Sequence, residues 1–137
     1  MTATPCVIRA IVIDCADPER LASFWSRLLG SPVEERLGPY IWLAHCGSTQ
    51  VGFQKVAEPK SAKNRVHLDL ASPDSAAEQN RIEALGGRQL HEYEIGGFLV
   101  MADSEGNEFC VIPDGSVELD EQGHAHYLGD RSAGRQV

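Results

Sequence analysis

Two stretches of this chain, one opening at Val7 and the other at Arg65, pass through the same succession of signals. Each begins with an apolar run, meets an Asp suited to open a helix, stops that helix at glycine, and continues with three short strand-like runs. In the first, residues 7–14 (VIRAIVID) are rich in Val and Ile and predict a strand covered on at least one face. Asp17-Pro18 then joins an N-cap carboxylate, which accepts orphan backbone N–H groups, to a ring that pre-sets φ for the helix. Leu21, Phe24, Trp25, Leu28 and Leu29 keep the spacing of one helical face, and Gly30 supplies the left-handed stop. Runs at 33–36, 40–45 and 50–56, separated by Gly38-Pro39 and Gly47-Ser48, predict an antiparallel meander.

The second stretch repeats the order, with a run at 65–70, a helix opened by Pro73-Asp74 and ended at Gly86-Gly87, and runs at 88–92, 98–102 and 108–112. A step of 57 residues carries Asp17 onto Asp74, Leu28 onto Leu85 and Gly30 onto Gly87. What repeats is the pattern, since identity elsewhere is low. The second helix is the less amphipathic, with Ala76, Ala77, Ile82, Ala84 and Leu85 as its apolar set, and is expected to pack more shallowly. The chain is therefore read as α+β, two βαβββ modules spanning 6–57 and 65–113. They make one domain over 1–113, with the polar stretch 58–64 (EPKSAKN) as linker and 114–137 as a mobile or wrapping extension without sustained periodicity.

Length and charge narrow the function classes. At 137 residues the chain suits one domain of ordinary size. A net charge of -8 with no basic stripe argues against a nucleic-acid partner. There is no run of apolar residues long enough for a membrane span and no basic segment leading into an apolar one near the N-terminus, so the expectation is a cytoplasmic protein without a membrane partner. Cys6, Cys15, Cys46 and Cys110 form no CxxC pair and each reads as a buried, reduced thiol. Phosphate-loop, GxSxG, HExxH and dinucleotide fingerprints are all absent from the sequence.

Three segments, IDCADPERLASFWSRLLG (13–30), VHLDL (66–70) and DSEGNEFCV (103–111), resemble the glyoxalase-like branch of the vicinal oxygen chelate superfamily. That superfamily also holds bleomycin-resistance proteins, fosfomycin-modifying enzymes and extradiol dioxygenases. The likeness covers roughly residues 6–113, and Ser104 stands where the family's turn usually has Pro. It implies two modules pairing into a curved, open half-barrel sheet whose concave face holds the ligand. It also implies a homodimer, and four inward positions that hold a divalent metal chelating vicinal substrate oxygens, the metal acting as a Lewis acid. Carried over singly, those positions are Ala10, seven residues before Asp17; His67, seven before Asp74; Gln54, with room for a slip of two; and Cys110, where the metalloenzymes usually have Glu. His67, Cys110 and Gln54 are thus the candidate metal ligands and His67 the candidate catalytic residue. The cofactor is unknown, a divalent metal being the one the resemblance admits.

Each candidate also has a plainer reading. His67 is either a pocket residue or a satisfied core or edge histidine, sharing a face with Asp69 by alternation. Cys110 between Phe109 and Val111 is either a ligand or a small core hydrophobe. Gln54 lines the pocket or faces solvent. Asp14 and Asp69, carboxylates within strands, need partners, water or a site, and serve as ligand-binding groups or as structural hydrogen-bond acceptors. Trp42, Phe53 and Phe98, with Tyr40 and Tyr93, form a stacking pocket for a planar ligand or pack the core. His124 and His126 in the tail form an i, i+2 pair, more often polar surface than metal site.

Two functions follow. One is a glyoxalase-like enzyme, a lyase, isomerase or dioxygenase on a small oxygenated substrate, with His67 in the site. The other is a metal-independent protein that sequesters a small molecule, as bleomycin-resistance proteins do. Ala10 in place of a His and Cys110 in place of a Glu favour the second, and a metal-free acid–base enzyme using His67 lies between them.

Overall fold

The structure is a computed structural model that describes residues 4–91, 98–113 and 117–127. The chain divides into two compact units, Met1–Lys60 and Ser61–Val137, and the division falls inside the polar stretch expected as linker.

In the first unit, β1 (Ala10–Cys15), α1 (Pro18–Leu29), β2 (Val33–Leu37), β3 (Tyr40–Leu43) and β4 (Gln50–Lys55) follow the predicted order. The sheet runs β1-β4-β3-β2, with β1 parallel to β4 and the other pairs antiparallel. Asp17 caps α1 by accepting the Arg20 N–H at 3.2 Å, and Gly30 ends it at φ 64° while the Ser31 N–H returns to the Ser26 carbonyl at 3.0 Å. α1 buries Leu21, Ala22, Phe24, Trp25 and Leu28. Leu29, expected on that face, is 39% exposed. The strand starts later than predicted, at Ala10, and leaves Val7 and Ile8 exposed at 84% and 76%.

Strand alternation splits this sheet cleanly. Ile41, Leu43 and Phe53 are buried on the side that carries α1, with Ile13 level with Phe53 in the ladder. Ala10, Val12, Asp14, Tyr40, Trp42, Gly52 and Gln54 occupy the face turned away from the helix.

The second unit repeats the arrangement with β5 (Asp69–Ser72), α2 (Ser75–Ala84), β6 (Arg88–Gln89), β7 (Leu99–Ala102) and β8 (Glu108–Pro113), in the sheet order β5-β8-β7-β6. β5 is parallel to β8. Asp74 caps α2 through the Ala77 N–H at 3.1 Å, as its counterpart does in the first unit. The left-handed glycine after α2 is Gly86, at φ 107°, with the Gly87 N–H closing onto the Ile82 carbonyl at 2.9 Å. Gly86 therefore matches Gly30, and the repeat slips from 57 residues to 56 across the helix. As expected α2 packs shallowly, burying only Ile82.

The predicted run at 65–70 is a strand only from Asp69, so His67 lies just ahead of β5. The turn between β7 and β8 is a closed knot of hydrogen bonds. Asp103 Oδ1 accepts the N–H groups of Glu105 (2.9 Å) and Asn107 (3.0 Å), and the Asn107 amide donates to both carboxylate oxygens. Gly106 takes φ 87° within it.

The extension contains a short hairpin, β9 (Val117–Leu119) with β10 (Ala125–Tyr127), in a stretch whose sequence shows no sustained periodicity. Three-residue strands are too short to show a period. Among the described residues no helix is long and apolar enough to cross a membrane.

Candidate functional site

The second sheet brings His67, Asp69 and Cys110 together. Asp69 and Cys110 are register partners across the parallel β5–β8 pair, and the Cys110 N–H donates to the Leu68 carbonyl at 2.9 Å. This ladder sets two side chains next to each other on the face away from α2. His67, two residues before Asp69, places its Nε2 at 3.2 Å from Asp69 Oδ1. One donor atom from each of the three residues lies within 4.8 Å of the others, the one such group of three His, Cys, Asp or Glu side chains among the described residues.

The group has a wet and a dry side. His67 and Asp69 are about half exposed. Cys110 is buried and belongs to an apolar cluster with Leu90, Val100 and Ala102, against which Phe98 and Ile112 pack. Burial pushes the Cys110 thiol up to about 11, helped by the negative charge of Asp69 and a hydrogen bond to it, with Lys63 opposing weakly. At neutral pH the sulfur is therefore protonated and is no nucleophile.

Glu108 is a buried carboxylate that the sequence reading passed over. It lies two residues before Cys110 on the same strand face, and its carboxylate accepts the Asn64 N–H at 3.0 Å. Its alternation with Cys110 was the available signal.

In the first unit the candidates separate. Asp14 and Gln54 sit opposite each other across β1–β4, and Gln54 is also level with Tyr40 across β3–β4. Trp42 lies level with Gly52, and a Cβ added to Gly52 would come within 2.4 Å of the indole. Only glycine lets the ring lie down on the backbone there. Tyr40 stacks beside it, centroids 6.0 Å apart and planes 13° from parallel. The result is a flat aromatic shelf, half-buried, on the face away from α1. Phe53 is not part of it, being 0% exposed on the helix side, where it packs the core. Phe98 packs against the cluster that holds Cys110, and Tyr93 lies outside the described residues.

His124 and His126 converge on Asp120, at 3.4 Å and 2.9 Å from its Oδ2. Asp120 Oδ1 also accepts the Gln122 and His124 N–H groups, so the three residues close the β9–β10 turn.

Two of the four positions that hold a metal in the resembled enzymes lack the usual donor. Ala10 offers a methyl group, and Cys110 a thiol where a carboxylate is usual. Oxygen-seeking Mg(II) or Mn(II) does not suit that set.

A family model described as a glyoxalase-like domain matches residues 10–112. No curated protein is a significant sequence match. Among solved structures, a glyoxalase/bleomycin resistance protein from Albidiferax ferrireducens is 18% identical, with TM-score 0.60, covering 76% of this chain and 95% of that one. A glyoxalase-related enzyme from Fulvimarina pelagi is 15% identical, with TM-score 0.63, covering 88% and 97%. A mutant of the genomically encoded fosfomycin resistance protein from Listeria monocytogenes, complexed with Mn(II) and dihydroxypropylphosphonic acid, is 11% identical, with TM-score 0.64, covering 79% and 90%. At these identities the likeness carries the fold.

Proposed function

The chain belongs to the glyoxalase-like domain family, and from that premise we propose that it binds a small oxygenated molecule whose planar part stacks on Trp42. The observation that carries this reading is the indole laid over Gly52 with Tyr40 parallel beside it. A half-buried pair of flat rings offers a large apolar area at little conformational cost. Asp14 and Gln54, paired by register on the same face, supply polar groups for the oxygen-bearing end. The phosphonic acid in the Listeria structure is an oxygen-rich ligand on the same fold and supports the size class.

A catalytic form of this reading, as lyase, isomerase or dioxygenase, is supported by the convergence of His67, Asp69 and Cys110. The sequestering form is supported by Ala10, which removes one expected donor. The homodimer implied by the resemblance is proposed with both.

A thermal-shift screen of small aromatic acids, 2-oxo acids and phosphonates, run on the full chain and on Trp42→Ala, tests the reading. At least one class should raise the wild-type midpoint by several degrees and leave the variant unmoved. A stabilisation that survives in Trp42→Ala would remove the shelf from the site. Turnover of a bound compound that His67→Ala abolishes separates the catalytic form from the sequestering one.

A further inference from the structure

We propose that the β9–β10 hairpin carries a surface site for a Zn(II)-class cation, held by His124, His126 and Asp120, with Glu118 as the fourth donor. The hairpin lies beyond residues 10–112, which the family model matches. Its donors alternate along the chain, Glu118 and Asp120 before the turn and His124 and His126 after it. Register explains why they meet. His126 pairs with Glu118 across the two strands, and the Asp120 N–H donates to the His124 carbonyl at 2.9 Å, one rung beyond the Ala125–Leu119 pair. Residues two apart on a strand share a face, so two carboxylates stand opposite two imidazoles on one side of the ribbon. Directly opposite positions hold their Cβ atoms about 4.5–5.5 Å apart, near enough for these side chains to share one ion.

The side chains already converge. His126 Nε2 lies 2.9 Å and His124 Nδ1 3.4 Å from the same oxygen, Asp120 Oδ2. Bonds of about 2.0–2.2 Å to a tetrahedral centre put donors about 3.3–3.6 Å apart, so one distance suits and the other has about half an ångström to open. The two nitrogens flank that oxygen in a looser group than His67, Asp69 and Cys110. Rotation of the half-exposed rings closes them on an ion that takes the place of the contacts to Asp120. Asp120 itself is fixed, because its Oδ1 accepts the N–H groups of Gln122 at 3.0 Å and His124 at 2.9 Å and leaves Oδ2 to the imidazoles. Two imidazoles and two carboxylates form a set that Zn(II) accepts, and the carboxylates neutralise the dication. With all four corners taken by protein, the ion fastens the hairpin as a structural metal does. The site shares no residue with the Trp42 shelf or with His67, so it stands or falls apart from the proposed function.

Zn(II) alone is the probe, titrated into the full chain in a Cys6→Ser, Cys46→Ser, His67→Ala background that removes both exposed thiols and the His67 imidazole. Calorimetry should find one equivalent bound. Long-range proton–nitrogen spectra should place the metal on His124 Nδ1 and His126 Nε2, and a large excess of Mg(II) should change neither result. His124→Ala and His126→Ala should each weaken binding at least about tenfold. Those rings also hold Asp120, so Glu118→Gln, which leaves the Asp120 contacts in place, carries the test if an alanine variant loses the hairpin's amide signals; it should weaken binding severalfold. Failure to bind Zn(II), or one equivalent bound with the His124 and His126 ring signals unmoved, would overturn the proposal.

Discussion

Position 52 decides whether the first sheet carries an aromatic shelf. A methyl group there would come within 2.4 Å of the indole of Trp42, so Gly52→Ala must lift the ring off the strand. The expected cost is about 1–3 kcal/mol of stability, measured by urea denaturation, together with loss of ligand-induced stabilisation. An unchanged midpoint would mean that the ring does not rest on the backbone. Cys110 makes a second prediction: with its thiol pushed up to about 11, it should resist iodoacetamide at pH 8 while exposed Cys6 and Cys46 are modified, as read by peptide mass spectrometry. Ser104 Oγ is buried without a hydrogen-bond partner among the described residues. Ser104→Ala should therefore raise stability by about 1 kcal/mol, and a loss of stability would show that the hydroxyl is satisfied. His67 and Cys110 are legible as candidate site positions only through the family resemblance. That Asp69 meets Cys110 is a matter of register between strands 41 positions apart (110 minus 69), which no local period encodes.

Among the elements, α1 announced itself because every signal agreed: N-cap Asp, proline at the first turn, one apolar face and a stop glycine. Its Trp25 is 1% exposed, and Trp25→Ala should cost about 3–5 kcal/mol by the same denaturation assay. The run at 65–68 misled because Val66 and Leu68 alternate like a strand while the chain there only leads into β5. The single-residue slip between Gly30 and Gly86 went unseen because Gly86 and Gly87 are adjacent and either fits a helix stop. The β9–β10 hairpin depends on Asp120, whose carboxyl is held down at about 2 by the His126 side chain first and the His124 N–H next. A carboxyl lowered in the folded state stabilises above its ordinary value near 3.8 and loses that contribution as pH falls through about 2. Nuclear magnetic resonance titration should therefore show the hairpin signals intact at pH 5 and shifting between pH 4 and 2. A titration at the ordinary carboxylate value would contradict the Asp120 clamp.

For the whole molecule, the repeated module order is legible in the sequence because it rests on punctuation by Asp, Pro and Gly, which survives low identity. The chemistry was less readable, because the fold hosts several and the deciding donors differ here from the usual set. The proposed homodimer predicts a sedimenting mass of twice 14.9 kDa at micromolar concentration, and a mass of 14.9 kDa contradicts it. Small-molecule binding on the Trp42 shelf is tested most directly by tryptophan fluorescence, since the chain has two tryptophans and the other, Trp25, is buried on the packed face of α1. Titrating small aromatic acids, 2-oxo acids and phosphonates into a Trp25→Phe variant leaves Trp42 as the sole reporter. The account predicts saturable quenching by at least one class, abolished when Gly52→Ala displaces the ring; linear, non-saturating quenching by every class would contradict it.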